Sequence, residues 1–229
     1  MNIIIIGGTR GIGRETAITL ARNPENRIFV TGRNLSSLNK LSQEFENIAT
    51  FQMDLSTFDS LAEKFRKVIQ SNFETVDILI NMAGLLVNQN FMDISNVDAR
   101  MIMEINFFGP ASIIRMLKPS MKKGSHIVNI SSMGGFQGSS KYTGLSYYSA
   151  SKAAIASLSE CLAEEFMESG VSVNCLALGS VNTEMLREAF PGYKSQVESE
   201  DIAEFIAGFA ITGHKYFNGK ILPVALNNP

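Results

Sequence analysis

The chain has 229 residues, 45% of them hydrophobic and 18% charged, which excludes a disordered protein and suits one α/β domain with a substantial core. Its 22 acids and 20 bases leave a net charge of −2, and so weak a field speaks against nucleic acid or an anionic membrane as partner. Cys161 and Cys175 have no CxxC or His/Cys spacing, so they read as reduced core thiols, and no metal is expected.

The first apolar run, residues 2–6, contains Ile3-Ile4-Ile5-Ile6, has strand length, and is too short to cross a membrane. No secretion signal precedes it, so a cytoplasmic location is expected. The run leads into Gly7-Gly8-Thr9-Arg10-Gly11-Ile12-Gly13 and a helical stretch over 11–22. Glycines between a strand and a helix permit a tight turn and close approach of backbone to a pyrophosphate, which the helix N-terminus stabilises. The gap from Gly7 to Gly11 is one residue wider than in GxGxxG, and the competing reading is a structural turn.

A second strand over 27–31 ends in Thr31-Gly32-Arg33-Asn34. An NAD site usually carries an acid about twenty residues past the glycines, and that count from Gly13 lands on Arg33. Arg33 and Arg10 together suit a 2′-phosphate, so NADP(H) is expected over NAD(H); the alternative is two solvated arginines.

Helix 35–46 and strand 48–52 follow, then Asp54, which as a short acid suits an N-cap for helix 57–71. Strand 76–81 precedes a long helix over 95–118, where Gly109-Pro110 is placed to introduce a kink. Strand 125–131 holds His126 as a packed residue, helix 147–169 follows, and then strand 171–177. A short substrate-side segment over 183–199, helix 200–211, His214 in a surface loop and strand 220–224 complete the chain. Strict alternation of strand and helix predicts a single-domain, doubly wound α/β Rossmann fold over 1–229, with about seven parallel strands and helices on both faces.

Within helix 147–169, Tyr148 and Lys152 are four residues apart and so share one helix face. A phenol titrates near ~10, and bringing it to about 7 takes roughly 4 kcal/mol from its surroundings, which a neighbouring ammonium can supply. Tyr142 and Tyr147 have only Ser146 and Ser151 at the same spacing. The competing reading of Tyr148 is an ordinary half-buried helix residue.

Taken together, the motifs resemble those of the compact, single-domain short-chain dehydrogenase/reductases, from residue 3 to about 224. Gly7, Gly11 and Gly13 match the TGxxxGxG loop, with Ile6 in place of its threonine. Asp54-Leu55 resembles the adenine-binding acid and its neighbour, and Asn81-Met82-Ala83-Gly84 resembles NNAG with Met82 substituted. Asn106 sits where the family has a central-helix asparagine, Ser131-Ser132 close the fifth strand, and Tyr148 with Lys152 matches YxxxK. Gly179, Val181 and Thr183 fall in the loop that holds the nicotinamide, where Leu178 replaces a proline. Thr9, Ile12 and Asn34 belong to the same implied cofactor contacts.

The resemblance implies hydride transfer between nicotinamide and a carbonyl or alcohol carbon. Tyr148 would exchange the proton, Lys152 would lower the tyrosine pKa and hold the ribose, and Asn106 would position a water. Ser132, with Ser131 second, would stabilise the carbonyl oxygen. From Ser132 to Tyr148 is 16 positions, longer than usual for the family, and the interval is glycine-rich. Met133, Phe136, Tyr142, Met185, Leu186 and Phe190 are candidates to line an open pocket for a small-molecule or carrier-bound carbonyl. The resulting expectation is an NADP(H)-dependent ketone or 3-oxoacyl reductase. The alternatives are an alcohol or sugar dehydrogenase working oxidatively, or a non-catalytic NADP(H)-sensing regulator. Family members commonly pair their long helices, which implies a homo-oligomer, dimer or tetramer.

Overall fold

The computed structural model describes residues 1–226; residues 227–229 of the expected domain lie outside the described residues. Seven strands form one parallel sheet in the order β3-β2-β1-β4-β5-β6-β7. They are β1 (Asn2–Ile6), β2 (Arg27–Gly32), β3 (Ile48–Gln52), β4 (Ile78–Asn81), β5 (His126–Ser132), β6 (Ser172–Leu178) and β7 (Ile221–Val224). β1 is central, and its four isoleucines are at most 1% exposed. A strand covered on both faces has no polar side to alternate with, which is why this run is uniformly apolar.

Successive residues still point to opposite faces. Ile3 and Ile5 join a cluster with Leu20 of α1 (Gly11–Ala21), Leu38 and Leu41 of α2 (Leu35–Glu44), and further apolar residues. Ile4 and Ile6 join the other cluster, with Phe58, Phe65 and Ile69 of α3 (Phe58–Asn72). The helices therefore cover both faces, as the doubly wound reading requires.

The expected helix over 95–118 is three pieces. α4 (Asn96–Met103) passes through a π turn, Glu104–Phe108, into α5 (Gly109–Leu117). The Gly109 amide donates to the Glu104 carbonyl, a five-residue step that inserts one extra residue into the helix. The break thus lies ahead of Gly109-Pro110. Pro110 falls in the first turn of α5, where a missing N–H costs little.

α6 (Ser146–Glu165) then carries Tyr148 and Lys152. The 183–199 segment is not merely a loop: it contains α7 (Glu184–Ala189), capped where Leu186 N donates to Thr183 Oγ1 at 3.1 Å. Six residues are too few for a helical period to show in sequence. α8 (Ser199–Thr212) packs beside α1.

His214 departs from its expected place. It is half-buried in the 3-10 turn Gly213–Lys215, with its ring centroid 5.6 Å from that of His126. His126 is fully buried, as a packed residue should be. Its Nε2 accepts from Asn174 Nδ2 at 3.0 Å, so the neutral ring donates from Nδ1 to the Ala210 carbonyl at 2.9 Å.

Strand register brings the functional segments to one edge of the sheet. Ile6 is level with Thr31 and Asn81, Asn81 pairs with Asn129, and Ser132 pairs with Leu178. The loops beyond these carboxyl ends meet where strand order reverses between β1 and β4, the crevice in which such folds bind ligands.

Candidate active site

A cavity of about 1310 Å³ lies across these carboxyl ends. Every sequence-expected catalytic or cofactor residue lines it except Asn34, Asn81 and Asn106. Asn34 caps α2, its Oδ1 accepting from Ser37 N at 3.0 Å. Asn81 is buried in the sheet and donates to Asn129 Oδ1 at 2.7 Å. Among the described residues, no group of three or more metal-capable side chains is present.

The glycine loop is shaped for close approach. A Cβ on Gly13 would overlap the Gly7 carbonyl oxygen, so the turn and the start of α1 share space that only glycine leaves free. Arg10 occupies the N-cap of α1 without capping it, and the first turn contains no acid. Its leading amides are therefore available to an anion, which the helix dipole favours. The chain fits the diphosphate of a dinucleotide.

Arg33 lines the cavity together with Arg10 of the glycine loop, and Thr31-Gly32-Arg33-Asn34 contains no acid. Asp54 also lines it, with its Oδ1 accepting from both Ser56 N at 2.9 Å and Ser56 Oγ at 2.8 Å. The capping role of Asp54 is thus visible, though it starts a 3-10 turn, Leu55–Thr57, ahead of α3. Arg10 is not a free cation: it makes a two-pronged contact with Glu188 of α7, at 2.7 and 3.2 Å. Sequence could not show this, since 178 positions separate the two.

Ser132 and Tyr148 both line the cavity; Ser132 Oγ accepts from Gly134 N at 3.2 Å, and the serine side chain lies near enough to the phenol to favour its ionised form. The longer interval between them starts with a 3-10 turn, Met133–Gly135, laid on α6; a Cβ on Gly135 would lie 2.5 Å from Ala153 N. Ser131 takes a different role, donating to the Lys152 carbonyl at 2.6 Å.

Lys152 is 4% exposed, and its ammonium donates to the Ile130 carbonyl at 2.9 Å. It lies 5.9 Å from the centroid of the Tyr148 ring. The expected lowering of the phenol by this lysine is therefore not what the chain alone displays. Burial pushes Tyr148 above its ordinary value, opposed by the neighbouring Ser132 side chain. Burial likewise brings Lys152 down to about 8. The phenol is protonated at neutral pH.

Asn106 sits in the π turn, 1% exposed. Its Oδ1 accepts from Leu85 N at 2.7 Å, and its Nδ2 donates to Leu85 O and Ser151 Oγ, both at 2.9 Å. Both amide hydrogens are committed within the protein. Ser151 Oγ in turn donates to the Tyr148 carbonyl at 2.7 Å. The side chain thus ties the Gly84–Leu85 segment to the turn of α6 that carries the tyrosine.

Of the expected substrate-side residues, Met133, Tyr142, Met185, Leu186 and Phe190 line the cavity and Phe136 does not. Leu85, Leu86, Leu145 and Tyr193 also line it. None of them carries a motif by which sequence alone could have found it.

The chain matches the short chain dehydrogenase family over residues 1–194. It is 31% identical over 209 residues to an uncharacterized oxidoreductase of Staphylococcus saprophyticus, covering 88% of this chain and 87% of the relative. It is 35% identical over 194 residues to dehydrogenase/reductase SDR family member 7B of Mus musculus, covering 80% of this chain but 58% of the mouse protein. A Shigella flexneri short chain dehydrogenase, solved as a complex with NADP, superposes with a TM-score of 0.88 at 25% identity over 97% of this chain and 95% of that one. Fold, motif order and family match converge: the chain belongs to the short-chain dehydrogenase/reductase family and is an NAD(P)-dependent oxidoreductase.

Proposed function

We propose that the protein is an NADP(H)-dependent carbonyl reductase acting on a ketone or a 3-oxoacyl thioester. The observation that carries this reading is one cavity lined together by Ser132, Tyr148 and Lys152 and by Arg10 and Arg33. The nicotinamide, when bound, supplies the hydride. The α1 N-terminus with Gly11, Ile12 and Gly13 holds the diphosphate, and Asp54 and Leu55 flank the adenine. The Gly179–Thr183 loop holds the nicotinamide end, and Lys152 binds the ribose. The Shigella relative carries NADP in its crystals, which supports the choice of coenzyme.

The substrate carbonyl oxygen is placed against the two hydroxyls. Ser132 donates a hydrogen bond that strengthens as negative charge develops, and Tyr148 delivers its proton to that oxygen. A protonated phenol is the form that gives its proton during reduction, and the same group takes one back during oxidation. Asn106 acts as a positioning residue through Ser151. The apolar wall of Met133, Met185, Leu186 and Phe190 suits a substrate with an apolar body. Exposed Phe91, Met92, Val97, Met101 and Phe108 on and around α4 and α5 support a homo-oligomer paired through that face.

A carbonyl panel that includes acyl thioesters, followed by NADPH oxidation, tests the reading. Turnover of at least one class, lost in Tyr148→Phe, is expected; undiminished turnover in that variant refutes the mechanism.

A further inference from the structure

We infer that Glu188 is a coenzyme-discriminating residue: its carboxylate competes with a 2′-phosphate for the Arg10 guanidinium and so tempers the preference for NADP(H). This rests on the reading of Arg10 as a 2′-phosphate cation. Glu188 Oε1 accepts from Arg10 Nη1 at 2.7 Å and Oε2 accepts from Nη2 at 3.2 Å. That two-pronged geometry is the one a phosphate would also use, so both anions claim the same edge of the fork.

α7 is built to deliver this carboxylate. Glu184 and Glu188 are four residues apart on one helix face. That face lies on the glycine loop, for a Cβ at Gly11 would stand 3.5 Å from Glu184 Oε2 and 3.5 Å from Thr183 Cγ2. The Arg10 hydrogen bond and charge hold Glu188 below its ordinary carboxylate value, and Arg187 and Arg33 add to the effect. Glu188 therefore feels both cations expected to grip the 2′-phosphate.

The two coenzymes meet this arrangement differently. A phosphate dianion outbids one carboxylate for Arg10 and must displace it. A 2′-hydroxyl carries no charge and leaves the Arg10–Glu188 pair in place. Removing the carboxylate should then tighten NADP(H) alone. Arg10 is 45% and Glu188 63% exposed, so water and salt screen the competition and the effect is modest.

The test is equilibrium fluorescence titration of the wild type, Glu188→Gln, Arg10→Ala and the double variant with NADPH and NADH, at low and high salt. Glu188→Gln is expected to bind NADPH about two- to fivefold tighter at low salt, with NADH unchanged and the gain shrinking in high salt. The gain should vanish in the double variant. Unchanged or weaker NADPH binding by Glu188→Gln, in a protein whose Arg10→Ala form loses NADPH affinity, overturns the inference and leaves the role of Arg10 standing. Arg10→Ala with full NADPH affinity overturns the role of Arg10, and the inference falls with it. Weaker NADH binding by Glu188→Gln also overturns it, by showing that the carboxylate holds a 2′-hydroxyl.

Discussion

Ser132 and Tyr148, 16 positions apart in the chain, come together in one cavity with the buried side chain of Lys152. The end of β5 fixes the serine, the first turn of α6 fixes the tyrosine, and the turn at Met133–Gly135 closes the distance between them. In the proposed mechanism the two hydroxyls act on one substrate oxygen, and their removal should have different signatures.

Tyr148→Phe removes the transferable proton but no packing volume of consequence. Turnover should be abolished while NADPH titration remains near wild type. Ser132→Ala removes only the charge-stabilising donor, so kcat should fall by about 10²–10³-fold with residual activity measurable. Equal residual rates in the two variants would contradict this division of labour.

Arg33 is expected to be the principal determinant of coenzyme preference. Fluorescence titration should show wild-type protein favouring NADPH, and Arg33→Ala should erase that preference with little change toward NADH. A wild type that binds both coenzymes equally would contradict the role given to Arg33.

Asn106→Ala strands the Leu85 amide and carbonyl and loosens Ser151. A loss of about 1–3 kcal/mol of stability is expected from the unsatisfied buried groups. Because the tyrosine is positioned through Ser151, kcat should fall and its pH profile should shift, while thermal denaturation reports the stability part separately. A stability loss without any change in kcat or its pH dependence would reduce Asn106 to a structural residue.

His126 sets an acid limit on stability. Burial lowers its pKa to about 4, against about 6.5 when unfolded, with the Ala210 carbonyl opposing the shift and His214 adding to it. The unfolded chain therefore binds the extra proton between these values. This contribution is intact above about pH 6.5 and declines toward pH 4, by about 3 kcal/mol in total. Histidine NMR resonances followed with pH should show one ring that stays neutral through pH 6; titration of both near 6.5 would be inconsistent with the buried, hydrogen-bonded ring.

Much of the architecture was legible because its signals are local. The unbroken Ile3–Ile6 run marks a strand covered on both faces, and the turn Gly7–Gly13 marks the start of a helix facing the cavity. Three features were not legible, each for its own reason. The π turn at Glu104–Phe108 keeps a near-helical period, α7 is too short to have one, and His214 looks like any loop histidine until α8 brings it to His126.

By itself the sequence determined the alternation of elements, the glycine turn, the absence of an acid after β2, and the four-residue spacing of Tyr148 and Lys152, all properties of neighbours along the chain. Tertiary structure alone decided which serine meets the phenol, that Lys152 turns to the Ile130 carbonyl, that both amide hydrogens of Asn106 are spent on Leu85 and Ser151, and that Glu188 holds Arg10. Those choices join groups far apart in the chain. They are set by strand register and by how helices settle on the sheet, and local periodicity carries no record of either.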